Sequence, residues 1–319
     1  MASTLVLMFP GQGSQKPGMG ADFFDLPSTA EILDTVSDAV GSNVKSLLTE
    51  TDEDTLRETD NAQLALYTCG VLAGKALLAD PGVRSQVLAM AGHSIGEYAA
   101  LAVSEAISIE DGAKLVQQRG FLMANAGANR SGAMSAILGL EREQLEAVCR
   151  AASTDGEVAT IANDNCPGQI VISGDTAAVR RADELAKEAG AKRALPLNVS
   201  GAFHSPLMAE SAREMRKALD EVDFAKGFAP IVSNVTAQAV RDASQWPSLL
   251  EQQLENPVRW TESVQALSAM GATIYIECGV GEVLCGLVKR TIKDATTMAV
   301  HDLMSLEKAK GALGVAHAV

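Results

Sequence analysis

The chain has 319 residues, 47% hydrophobic and 21% charged, an ordinary globular composition long enough for one large domain with an insertion or for two domains. Lysine plus arginine is 26 against 40 acidic residues, a net charge of −14. That excludes a general nucleic-acid binder and repels acidic partners at long range except at a local basic patch. No stretch approaches the roughly 18 uninterrupted apolar residues of a membrane span, so no membrane partner is expected.

Thr4–Phe9 is a short apolar run stopped by Pro10-Gly11-Gln12-Gly13, the pattern of a buried strand entering a glycine loop. The opening MASTLVLMFPGQGSQ lacks a basic start and reads as strand and loop, not signal peptide, so a cytoplasmic protein is expected. Helical patterns follow at Thr29–Val40 and Asn61–Leu78. Val87–Ala91 reads as a second buried strand, and Glu97–Val103 and Ile109–Asn125 as helices. Strand and helix in alternation predict an α/β layer fold with a parallel sheet, of the α/β-hydrolase-like kind.

From about Gly132 the rhythm changes. Ala133–Gly139 reads as strand, Glu141–Ala152 as helix, and Val158–Ala162 and Gln169–Ser173 as strands around a loop at 163–168. Asp175–Ala189 then reads as helix and Lys192–Leu197 as strand. The order β-α-β-β-α-β is the split βαβ pattern of a ferredoxin-like unit. The expected organisation is a large catalytic subdomain over 1–130 and 199–319, with a small inserted one over 131–198. The large body resumes with a helix at Glu210–Leu219, a strand at Ile231–Asn234, a helix at Val264–Met270 and a strand at Thr273–Glu277. A late strand is possible at Thr297–Val300. No internal repeat or low-complexity linker is visible, nor any exposed heptad, so a monomer is expected.

Five cysteines, Cys69, Cys149, Cys166, Cys278 and Cys285, form an odd set with no close pair. That argues against a disulfide framework and a zinc site, and no metal or cofactor is implied.

Gly92-His93-Ser94-Ile95-Gly96 fits the G-x-S-x-G nucleophile elbow, with an apolar strand before it and a helical pattern after it. Such a turn places the Ser94 hydroxyl at a helix N-terminus, where the next N–H, on Ile95, can face a developing oxyanion. A serine hydroxyl needs a base. Of the four histidines, His93 is adjacent to Ser94 and diverges from it, His317 lies near the chain end, and His301 is a distant second. His204, in a loop between a strand and a helix, is the preferred base. No Asp or Glu stands out as a third member, so a backbone carbonyl or an amide side chain could hold the imidazole. Arg119, late in a helix among small and apolar neighbours, is either a surface arginine or a buried guanidinium awaiting a carboxylate.

Together these pieces resemble the malonyl-CoA:acyl-carrier-protein transacylase family and the acyltransferase domains of fatty-acid and polyketide synthases. The resemblance runs through Phe9–Gln15, Gly92–Glu97, Gln118-Arg119-Gly120, Phe203-His204-Ser205, Asn256-Pro257-Val258-Arg259-Trp260 and Glu277-Cys278-Gly279, nearly the whole chain. It implies ping-pong malonyl transfer from malonyl-CoA to holo acyl carrier protein, through a malonyl ester on Ser94 with His204 as base. It further implies that Arg119 binds the malonyl carboxylate and that the N–H groups of Gln12 and Ile95 form the oxyanion hole. The Gln253 carbonyl would hold His204, Asn165 would line the entrance, and Phe203 would crowd out an α-methyl branch. An acidic carrier needs a basic patch on this acidic chain. The candidates are Arg180, Arg181, Lys187, Lys192 and Arg193, or Lys289, Arg290 and Lys293. Rival readings are a trans-acting polyketide acyltransferase, a serine thioesterase or esterase, which has no use for Arg119, and a non-catalytic scaffold.

Overall fold

The computed structural model describes residues 4–126, 131–199 and 201–315, so Ser200 and His317 lie outside the described residues. Its strands are β1 (Leu5–Phe9), β2 (Val87–Gly92), β3 (Gly132–Leu138), β4 (Ala159–Cys166), β5 (Gln169–Asp175), β6 (Arg193–Pro196), β7 (Ile231–Val232), β8 (Ala239–Val240), β9 (Ile274–Cys278) and β10 (Thr296–Val300). They form two sheets, one six-stranded in the order β10-β9-β1-β2-β7-β8 and one four-stranded in the order β4-β5-β3-β6. The architecture is mixed α/β.

The six-stranded sheet is parallel except for the short β7–β8 pair at one edge. β1 lies inside it, and all five of its residues are buried. That is why its sequence is uninterruptedly apolar. Alternation divides it: Leu5, Leu7 and Phe9 enter the main core, while Val6 and Met8 join Ala89, Ala91, Trp260 and Val264 in a second core. The helix Thr59–Leu78 is buried along most of its length within the main core. Ser108 caps the helix Ile109–Asn125 by accepting the Asp111 N–H at 2.9 Å, with Glu110 and Asp111 favourable in its first turn.

The four-stranded sheet is antiparallel throughout. The helices Arg142–Ala152 and Thr176–Glu188 pack against it around a third core that includes Leu145, Ile161, Ile172 and Ala182.

Three boundaries depart from the sequence expectation, and the strand expected at Ile231–Asn234 ends at Val232. Residues 163–168 do not form a loop: β4 continues to Cys166 and only Pro167-Gly168 turns. Two register shifts, at Ile161/Asn163 and Asp164/Cys166, let the polar run stay in the strand. Its outer edge is also paired, since Val258 donates its N–H to the Ala162 carbonyl at 2.8 Å and accepts the Asp164 N–H at 2.9 Å. The Asp164 carboxylate is matched by Thr261 at 2.7 Å and Arg142 at 3.1 Å. The helix expected at Val264–Met270 starts earlier, at Trp260. Helices at Trp246–Glu255, Val283–Thr291 and Leu303–Ala312 complete the large sheet's surroundings. Among the described residues no helix is long and apolar enough to cross a membrane.

The crossing of β1, β2 and the helix Gly96–Val103 leaves no room for side chains. A Cβ on Gly96 would lie 2.1 Å from the Phe9 carbonyl oxygen, and one on Gly92 would lie 1.9 Å from the Gly96 carbonyl carbon. Gly96→Ala should therefore cost about 3 kcal/mol or more in urea unfolding, at the upper end of overpacking penalties because backbone must move. Unchanged stability would mean that the strand–helix crossing relaxes freely.

Candidate active site

Ser94 follows β2 and precedes the helix Gly96–Val103. Its φ is +52°, a left-handed conformation costly for a residue with a Cβ. Asn234 holds it there. The Asn234 side-chain oxygen accepts the Ser94 N–H at 2.7 Å, and its amide donates to the Gly92 carbonyl at 2.6 Å. This one amide spans both sides of the turn.

His204 also has a left-handed backbone, with φ of +56°, and donates its N–H to the Leu254 carbonyl at 3.0 Å. Its Nε2 lies 2.8 Å from Ser94 Oγ, and its Nδ1 lies 2.7 Å from the Gln253 backbone oxygen. A carbonyl only accepts, so Nδ1 carries the hydrogen and Nε2 presents a lone pair to the serine hydroxyl. Burial lowers the imidazole pKa to about 3, with the positive charge of Arg119 adding to the effect and the Gln253 carbonyl opposing it. The ring is a neutral acceptor at neutral pH.

Arg119 is 1% exposed. Its Nη1 donates to Gln63 Oε1 at 2.7 Å, and its Nη2 to Gln253 Oε1 at 2.8 Å and Ser94 Oγ at 3.0 Å. The guanidinium lies 5.6 Å from the centroid of the Tyr98 ring. Its Nε has no hydrogen-bond partner among the described residues. The alternative of a surface arginine is excluded by this burial.

Ile95 is buried and Gln12 is partly exposed; the Gln12 side-chain amide reaches Thr59 Oγ1 at 3.4 Å. The glycine loop before Gln12 runs against the elbow, since a Cβ on Gly11 would lie 2.8 Å from the His93 carbonyl oxygen. Phe203 is buried in the main core beside His204. Asn165 lies on β4, not on a loop, and its Oδ1 is 2.8 Å from His93 Nε2. The His93 ring tilts against Trp260 at 5.5 Å, while the Ser94 hydroxyl is hydrogen-bonded to His204 and Arg119. His301 follows β10 and sits 3.6 Å from Asp302. No group of three or more His, Cys, Asp or Glu that could hold a metal occurs among the described residues.

Five participants escaped the sequence reading: Gln63 and Tyr98 beside Arg119, the Gln253 side chain, Asn234 and Glu97. Glu97 is fully buried, accepts the Asn234 N–H at 2.8 Å and pairs with the Gln253 amide. Burial pushes its pKa up to about 7, against the pull of those hydrogen bonds and of Arg119.

A buried hydroxyl between a neutral imidazole and a guanidinium is equipped for nucleophilic attack on an acyl group. Residues 6–315 match the family described as the acyl transferase domain. The chain belongs to this family. Among acyl transferases, it is 41% identical over 308 residues to a Bacillus subtilis protein named malonyl CoA-acyl carrier protein transacylase, covering 96% of each chain. The crystal structure of an acyl carrier protein S-malonyltransferase from Vibrio cholerae superposes with a TM-score of 0.90 at 39% identity, covering 97% of this chain and 100% of that one. A malonyl-transacylase solved in complex with its type II polyketide acyl-carrier protein superposes with a TM-score of 0.92 at 37% identity, again covering 97% and 100%.

The lowered His204 pKa of this acyl transferase sets a pH signature. A neutral ring persists as pH falls through 6.5, the ordinary value, toward about 3. Its contribution to stability is fully present above pH 6.5 and is lost as pH falls toward about 3, because the unfolded state binds the proton first. Labelling of Ser94 by a fluorophosphonate should keep its rate down to about pH 5, with no inflection near an ordinary histidine value. An inflection at pH 6.5 would place the working imidazole in water rather than in this buried setting.

Proposed function

We propose that the chain transfers malonyl from malonyl-CoA to the phosphopantetheine thiol of holo acyl carrier protein, in fatty-acid synthesis, by a ping-pong route through a malonyl ester on Ser94. The observation that carries this reading is the buried guanidinium at 3.0 Å from the nucleophile, with its Nε–H without a partner among the described residues. A cation in the acyl pocket suits an acyl chain that ends in a carboxylate, which it can clamp with two parallel hydrogen bonds. A plain fatty chain would leave it buried and unmatched. The names of the relatives support the same donor and acceptor.

In the first half-reaction Ser94 Oγ attacks the thioester carbonyl and its proton passes to His204 Nε2. The oxyanion faces the N–H groups of Ile95 and Gln12, for which the hydrogen-bond network provides no partner among the described residues. Collapse breaks the carbon–sulfur bond, and the CoA sulfur leaves with the proton from His204. In the second half-reaction the pantetheine thiol gives its proton to His204 and attacks the ester carbonyl, and Ser94 regains a proton as it departs. The Gln253 carbonyl holds the ring through both steps. Asn165 lines the entrance through His93, and Phe203 narrows the space beside His204 against an α-branch.

We assign residues 1–130 and 199–319 to an α/β-hydrolase-like catalytic subdomain and 131–198 to a small ferredoxin-like one. The β-α-β-β-α-β order and the antiparallel strand order β4-β5-β3-β6 support this division. Of the basic candidates for docking an acidic carrier, Arg181 pairs with Glu157 at 2.8 Å and Arg290 with the Gln169 side chain. Arg180, Lys187, Lys192, Arg193, Lys289 and Lys293 are at least partly exposed and better placed to meet a partner. One relative's polyketide carrier favours a second pathway reading, in which the acceptor is a polyketide carrier protein.

Mixing the protein with malonyl-CoA alone should add one malonyl unit to the intact mass, absent in Ser94→Ala, and holo carrier protein should remove it. Arg119→Ala should lower kcat/KM for malonyl-CoA by about 100-fold or more, the scale of a lost charge-assisted pair. Steady CoA release without an adduct would favour hydrolysis. Faster discharge by a polyketide carrier than by a fatty-acid carrier would favour the second pathway.

A further inference from the structure

One buried carboxylate beside the elbow performs none of these steps. Glu97 is fully buried in the first turn of the helix after Ser94, and its hydrogen-bonded partners are Asn234 and Gln253, not His204. The Gln253 side chain is the link. Its amide nitrogen donates to Glu97 and to the Ser94 carbonyl at 3.0 Å, using both hydrogens. Its oxygen accepts Arg119 Nη2 at 2.8 Å.

Direction matters in this chain. An arginine can only donate, and both Glu97 oxygens accept here, from the Asn234 N–H and from the Gln253 amide. The amide between them has one end of each kind, so only one of its two orientations satisfies both neighbours. We propose that Glu97 is a positioning residue for acyl selectivity: it fixes the Gln253 amide with its oxygen toward Arg119, and so aims the guanidinium at the acyl pocket. This rests on the reading of Arg119 as the partner of the malonyl carboxylate.

Glu97→Gln keeps the shape and breaks the polarity. If the new glutamine accepts the Asn234 N–H, its own NH₂ meets the NH₂ of Gln253. If Gln253 turns over to escape, its NH₂ meets the guanidinium and its oxygen meets the Ser94 carbonyl. In either arrangement two donors face each other in a buried setting, and Arg119 loses a fixed anchor.

The test measures kcat/KM for malonyl-CoA and for acetyl-CoA, which has no carboxylate, in wild type, Glu97→Gln, Gln253→Met, Arg119→Ala and the Glu97→Gln/Arg119→Ala double variant. Gln253→Met removes the amide and keeps the backbone carbonyl that holds His204. Both Glu97→Gln and Gln253→Met should lower the ratio of malonyl to acetyl kcat/KM by about 10-fold or more, the scale of a hydrogen bond to a charged group. With Arg119 gone, Glu97→Gln should not change the malonyl-to-acetyl ratio further. The proposal is overturned if both substrates fall together, if neither changes, or if the ratio still shifts in the Arg119→Ala background. Should Glu97→Gln fail to fold, Gln253→Met and its double variant with Arg119→Ala are read by the same criteria. If Arg119→Ala itself leaves the ratio unchanged, the reading of Arg119 falls and this one with it. A changed ratio in Arg119→Ala alone would sink only the role of Glu97.

Discussion

A buried positive charge with no carboxylate paired to it among the described residues is the constraint around which the cleft is arranged. Moving a guanidinium from water into a protein interior is costly unless oxygens and dipoles replace its hydration. Here the replacements come from three remote parts of the chain: Gln63 on the long central helix, Ser94 on the elbow, and Gln253 on the helix Trp246–Glu255. The face of Tyr98 adds a quadrupole. Each partner is itself fixed by something else, so the site is rigid because its charge demands it. Glu97 stands one amide away, its two oxygens taken by the Asn234 N–H and the Gln253 amide and so not competing for the place of a substrate.

Strain is stored at both ends of one hydrogen bond. Ser94 and His204 each hold a left-handed backbone, at φ of +52° and +56°, and face each other at 2.8 Å. Conformations of this kind cost about 1–3 kcal/mol each and persist only where the surroundings over-determine them. Asn234 clamps the first residue, and the Leu254 carbonyl and the Pro206 turn flank the second. Nucleophile and base are thus presented by backbone geometry before any ligand arrives, which lowers the reorganisation needed during attack.

The parts legible in the sequence are those written locally. Apolar runs and helical patterns marked the strands β1, β2 and β9, the helix Ile109–Asn125 and the order of elements in the small sheet. The G-x-S-x-G run marked the elbow, and four histidines left few choices for its neighbour. β4 was cut short because Asn163-Asp164-Asn165 reads as a turn, and only the pairing of Val258 with its outer edge makes an extended path favourable. The brace of Glu97, Asn234 and the Gln253 side chain left no trace in spacing. Its contacts join residues 137 and 156 positions apart, and a glutamic acid in the first turn of a helix looks like an ordinary favourable charge.

The pairing of Val258 with β4 also bears on how the molecule can be taken apart. In chain order the span 131–198 interrupts the large sheet, and its ends invite excision. In space its edge strand shares hydrogen bonds with the segment that immediately follows the helix bearing Gln253, and Asn165 reaches across to His93. A shortened chain joining residue 130 to 199 would strand the Val258 peptide groups and release the end of the helix that steadies the imidazole. The span is a removable loop on paper and a buttress in the folded protein, so minimal versions of this enzyme must keep it.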